Sequence, residues 1–229
     1  MATSSATDPI RKILAATLLV FPCAFILVFI MHFRHFANFF TFRWQYVPRD
    51  PARTVTALIA AHNNYPLIHD PHMIAYLSMP FLSLSAFALY VLGRGTRPVA
   101  SAITLMITIS GTIYMGGVFG MWTAFYRGLG LVDPANQVGA IATFTAMTAP
   151  QGAFLVTTTL AKLVMIGLAA QALVLLKTGV VPTWSVISVT SGACLFLAFW
   201  DLDNWMMIGA ALLLAGFVPM RKALIIGNR

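Results

Sequence analysis

Residues 13–32 read ILAATLLVFPCAFILVFIMH, an uncharged run preceded by Arg11 and Lys12 and closed by His32. A run of roughly 20 apolar residues, rising about 1.5 Å per residue, matches the ~30 Å hydrocarbon core of a bilayer. Five further apolar stretches follow, at 73–93, 98–125, 152–176, 181–200 and 204–220, each closed by a charge, a proline or a glycine turn. Lipid offers no partner for backbone N–H and C=O groups, so such runs cross it as helices that bond internally. The expected fold is an all-α, polytopic transmembrane bundle of about six spans, forming a single integral membrane domain over residues 1–229.

Composition supports the same solvent. Of 229 residues, 59% are hydrophobic and 9% are charged, against about 25% charged in an ordinary soluble domain. The formal charge of +8 sits mostly beside the hydrophobic runs, so it reads as a topology signal and not as a nucleic-acid footprint. Arg11, Lys12, Arg94, Arg97, Lys177, Arg221, Lys222 and Arg229 fall on one side of a six-span chain; Arg34, Arg43, Arg49, Arg53 and Arg127 fall on the other. The positive-inside rule then places both chain ends in the cytoplasm, and the expected location is a bacterial cytoplasmic membrane. No small-residue cleavage pattern follows the first run, which reads as an uncleaved signal anchor. Trp44, Tyr46, Trp122, Tyr126, Trp200 and Trp205 would form an outer aromatic belt, with Trp184 on the inner side.

The junctions 93–98 and 177–182 run from glycine to proline and predict tight turns between antiparallel neighbours. Two outer segments are longer. The first, 33–72, carries a proline-bounded turn at Pro48 to Pro51 and an amphipathic pattern near Arg53 to Ala61. The second, 127–151, ends in an apolar stretch, Val138 to Met147, which is too short to cross and is broken from the next span by Pro150-Gln151-Gly152. It reads as an interfacial helix or a re-entrant half-helix. Gly111, Gly116, Gly117 and Gly120 in the third span, and Gly209, Ala211, Ala215 and Gly216 in the sixth, mark expected close helix contacts, with Gly116 and Gly120 as a GxxxG pair. Pro22 and Pro80 are expected to kink the first two spans.

Carboxylate chemistry has few candidates, since the six acids are Asp8, Asp50, Asp70, Asp133, Asp201 and Asp203 and there is no glutamate. Cys23 and Cys194 lie in separate apolar runs and read as small hydrophobes, not as a disulfide. His32 and His35 close the first span and His69 and His72 open the second, so all four gather at the outer face. Neutral imidazoles in such a cluster suit a metal ion or a haem iron, with Asp70 as an additional ligand or orienting partner. Pro71 argues against a regular helix through His69–His72, and interfacial histidines need no ligand. Lys162 is the one basic residue inside a span, where insertion costs about 2.5–3.5 kcal/mol. It points to an anionic ligand, to pairing with Asp201 or Asp203, or to a side chain that snorkels to the outer interface. Asp203 or Asn204 would also cap the last helix. No Walker loop, GxSxG elbow, HExxH helix or dinucleotide fingerprint is present.

The stretch Leu173 to Lys222, with its Lys-Thr-Gly-Val-Val-Pro turn, small-residue helix, short outer turn and closing Arg-Lys, follows a long first outer loop. In this architecture the chain resembles bacterial multi-pass membrane proteins of a domain family without assigned function. The resemblance implies neither a reaction nor site residues. Three function classes stand: an accessory membrane subunit that binds a partner or a second copy of itself, a metal- or haem-dependent oxidoreductase, and a small transporter or lipid-binding protein built on Lys162.

Overall fold

In the computed structural model, residues 9–32, 39–40, 50–64, 70–149, 152–200 and 202–226 are described, and all regular structure among them is helical. The helices are α1 (Pro9–His32), α2 (Pro51–Asn64), α3 (Asp70–Gly93), α4 (Pro98–Leu129), α5 (Val138–Thr148), α6 (Ala153–Ala161), α7 (Leu163–Val174), α8 (Thr183–Ala198) and α9 (Asp203–Ile226). Five of the segments are long and apolar enough to cross a membrane: α1, α3, α4, the 22 residues of α6 and α7 together, and α9. The apolar α8 is shorter, at 16 residues. The bundle expected from hydropathy is therefore the observed fold.

Six legs form a closed ring in chain order. α1 packs on α3, α3 on α4, α4 on α6 and α7, α7 on α8, α8 on α9, and α9 returns to α1. Neighbours run antiparallel. Ser85 lies 3.0 Å from the Thr17 carbonyl oxygen, Gly120 faces Tyr76 while Gly93 faces Ser101, and Gly192 faces Gly209 while Gly216 faces Ser185. The middle of the ring is filled by aromatic and aliphatic side chains, among them the buried Phe21, Leu82, Met115, Leu168, Phe196 and Phe217. Phe25 of α1 reaches Phe119 of α4 and Phe196 of α8, each at 5.8 Å between ring centroids, which ties opposite sides of the ring together.

Lipid tails supply no hydrophobic drive between helices, so close backbone approach and buried hydrogen bonds hold the legs. On α4 and α7, Gly111 abuts the Leu163–Val164 backbone and Gly167 abuts Thr108. Beside that crossing, the buried Gln171 donates Nε2–H to the Ala86 carbonyl at 2.9 Å and its Oε1 lies 2.9 Å from the Thr108 hydroxyl, joining α3, α4 and α7. On α8 and α9, Gly192 and Gly209 face each other's carbonyls, and Ser188 donates to the Leu212 carbonyl at 2.8 Å. The expected contacts are thus met at Gly111, Gly209 and Gly216, whereas Ala211 and Ala215 point outward. The GxxxG pair is looser than expected: a methyl at Gly116 would lie 3.6 Å from Met79 Cγ, and one at Gly120 would lie 3.5 Å from Tyr76 Cε2.

Local chemistry sets three boundaries. Pro98 opens α4 at a position that needs no amide donor. Pro71 does the same for α3, so His72 lies in regular helix, contrary to the expectation from the His-Asp-Pro-His run. The span read as 152–176 is interrupted at Lys162, whose N–H bonds the Thr159 carbonyl at 3.2 Å while its own carbonyl accepts from Met165 and Ile166.

Candidate functional site

At the end of the ring where α3 begins and α4 finishes, two short helices form a cap. α4 is the longest leg, with 32 residues, about 48 Å at 1.5 Å per residue, and its last turns carry Trp122, Phe125, Tyr126 and Leu129. α2 seats Val55 and Ile59 against Tyr126 and Leu129, and α5 adds Phe144, all five residues being buried. Val55 and Ile59 are four apart and share one face of a helix. That is the amphipathic pattern expected near Arg53 to Ala61. The Asp50 side chain accepts the Ala52 N–H at 3.0 Å, and Pro51 follows it, so α2 has both a cap and a preset first residue.

Trp122 is the hub of the cap. Its ring stacks on Tyr126 at 5.4 Å and meets Phe125 at 6.0 Å, Phe144 at 6.2 Å and Phe154 at 5.8 Å. His72, on the first turn of α3, sits among the same rings, 4.6 Å from Tyr126 and 6.4 Å from Phe119. A polar tie completes the cap, because Thr56 Oγ1 lies 2.8 Å from Gln137 Oε1 and the Gln137 amide donates to the Pro134 carbonyl at 2.8 Å. The Asp133 carboxylate turns the loop before α5 by accepting the Ala135 N–H at 2.9 Å.

α5 itself is a helix of 11 residues with only Phe144 buried. It packs lightly on α2 and α6, with Phe144 level with Trp122. Leu131 is 89% exposed and Val138 75% exposed beside it. The hydroxyls of Thr143, Thr145 and Thr148 bond the carbonyls of Gly139, Ile141 and Phe144 within α5 itself.

The expected metal cluster falls largely outside the described side chains. His35 and His69 lie outside the described residues, His32 and Asp70 are placed only as backbone at the ends of α1 and α3, and His72 is the member whose surroundings are seen. Among the described residues, no three His, Cys, Asp or Glu side chains come together. Of the expected ligand-binding set, Asp201 is outside the described residues and Asp203 opens α9. Asn204 is buried there and donates to the Phe39 carbonyl at 3.1 Å, so it ties the first outer segment to α9. Lys162 is half-buried, with Nζ 5.7 Å from the centroid of the Trp200 ring. The sequence did not single out Phe154 or Phe144 as partners of Trp122; an aromatic beside each end of the Pro150–Gly152 break was the available signal.

The fold and the charge-poor, apolar legs make the chain a polytopic integral membrane protein. No family model, curated protein or solved structure matches it.

Proposed function

We propose that this protein is an accessory subunit of a membrane complex, and that it binds its partner through the cap formed by α2 and α5. The observation that carries the reading is α5, an apolar helix too short to cross a bilayer, mounted on the Trp122 cluster through Phe144, Ala140 and Ile141 with most of its residues exposed. Its outer face presents Val138, Gly139, Ala142, Thr143 and Ala146. Because the threonine hydroxyls bond their own helix, the side chains of that face offer methyl groups and small groups to a partner. No charge occurs between Asp133 and Lys162. An apolar surface of this kind marks an interaction site, and small residues let a partner helix approach closely. The aromatic mount holds the surface in place before binding, which limits the ordering cost of association.

The positive-inside rule puts this cap on the extracytoplasmic side, and we assign the protein to a bacterial cytoplasmic membrane on the same ground. Photoreactive side chains at Ala142 and Ala146, activated in native membranes, test the reading, with Met106 on the outer face of α4 as the control. Discrete protein adducts from the α5 positions and none from Met106 are expected. Lipid adducts alone from all three would overturn it.

A further inference from the structure

We infer that Lys162, Thr159 and the Trp200 ring form a binding site for a singly charged phosphate group at the headgroup level of the leaflet on the α8–α9 turn side. This inference is independent of the cap. Lys162 lies nine residues into the α6–α7 leg, about 14 Å along the helix axis. Side chains on an α-helix lean toward its N-terminus, so the lysine stem climbs toward the end where α6 begins. The contact with Trp200 shows where it arrives, because Trp200 follows α8 in the turn to α9.

Three features separate the position from an ordinary snorkelling lysine. Among the described residues, no carboxylate pairs with the ammonium, and its one side-chain partner is a ring face. A cation held on an aromatic face keeps its donors for a further anion. Second, the regular helical bonding is interrupted at this residue, whose amide bonds the Thr159 carbonyl three residues back. Third, the threonine run divides. Thr157 and Thr158 donate to the Ala153 and Phe154 carbonyls at 2.8 Å, whereas the exposed Thr159 makes no hydrogen bond among the described residues. Thr159 is three residues before Lys162 and so shares its face. One ammonium and one hydroxyl on a common face, beside an interfacial tryptophan, suit a phosphodiester.

The anion is either the headgroup of a phospholipid or free phosphate. The test is native mass spectrometry of the full chain released from nanodiscs of phosphatidylcholine doped with phosphatidylglycerol, repeated with inorganic phosphate added. Wild type should keep one phosphatidylglycerol through delipidation. Lys162→Met should weaken its retention about tenfold, the equivalent of one charge-assisted bond, and Lys162→Arg should retain it. Displacement by inorganic phosphate would assign the site to the free ion, and persistence would assign it to the lipid. Equal retention by wild type and Lys162→Met overturns the proposal. Should Lys162→Met fail to fold, Thr159→Val and Lys162→Arg decide it: a drop with the first and none with the second supports the site, and no drop with Thr159→Val counts against it.

Discussion

At the residue scale, the positions that hold the ring are those where an added methyl would strike backbone. A Cβ at Gly111 would lie 2.6 Å from the Leu163 carbonyl carbon, and one at Gly167 would lie 2.7 Å from the Thr108 nitrogen. Neither neighbour can turn away, because each belongs to a helix axis. Gly111→Ala should therefore cost about 1–3 kcal/mol, the range for overpacking a close-packed interior. Gly120→Ala should be neutral or slightly stabilising, since its methyl meets Tyr76 at 3.5 Å in ordinary contact and alanine favours the helix by up to about 1 kcal/mol over glycine. Unfolding of both variants in mild detergent checks the contrast, and equal losses would contradict it. The sequence pointed to Gly111 and to the GxxxG pair alike, because glycine spacing identifies a flat helix face but not the distance of its neighbour. Gly167 and Gly192 went unmarked for the same reason: each is a single glycine in an apolar run, and its significance comes from Thr108 and Gly209 on other legs. Ala211 and Ala215 look like contact residues by size, yet Gly209 and Gly216 fix the face of α9 that meets α8 and turn the alanines outward.

At the element scale, the long legs were legible because bilayer thickness sets their length, and the cap helix α2 was legible from its amphipathic spacing. The break at Lys162 was not, since lysine is a good helix former and nothing next to it is a proline or glycine. Nor was the helical start at Pro71, where the position of proline within the helix decides between a break and a first turn. The histidine cluster was legible only as a pattern along the chain; of its side chains, only His72 is seen, and aromatic rings surround it. α2 and α5 differ from the legs in what holds them. Their shared core is small, centred on Val55, Ile59 and Phe144, so the cap should open without unfolding the ring. Val55→Asp places a charge at a fully buried position, and hydrogen exchange across 51–64 should then accelerate at least tenfold while α7 and α9 keep their protection. Loss of protection in all legs together would mean that the cap is part of one cooperative unit.

At the scale of the whole molecule, a ring of six antiparallel legs puts the start of α1 and the end of α9 at the same end. That end also carries the α3–α4 and α7–α8 turns, and so gathers Arg11, Lys12, Arg94, Arg97, Lys177, Arg221 and Lys222. Among the described residues the other end carries Arg53 and Arg127 with Asp50, Asp70, Asp133 and Asp203, while Arg34, Arg43 and Arg49 lie outside the described residues. The ring geometry is what turns a list of charges into two unlike faces, and the positive-inside rule predicts an orientation from that difference. In a chain with Cys23 and Cys194 replaced by alanine, Ala135→Cys in the loop before α5 should react with a membrane-impermeant maleimide in intact cells. Gly95→Cys in the α3–α4 turn, a glycine with open space around it, should react only after the membrane is permeabilised. The leg most able to upset this pattern is α8, whose 16 residues cover about 24 Å of a ~30 Å core. Its antiparallel packing between α7 and α9 reverses the chain all the same, and a short span of this kind is accommodated by local thinning of a bilayer. A cysteine in the α8–α9 turn at Leu202 should therefore label with Ala135→Cys; if it labelled with Gly95→Cys instead, α8 would not cross and the carboxyl end would lie outside.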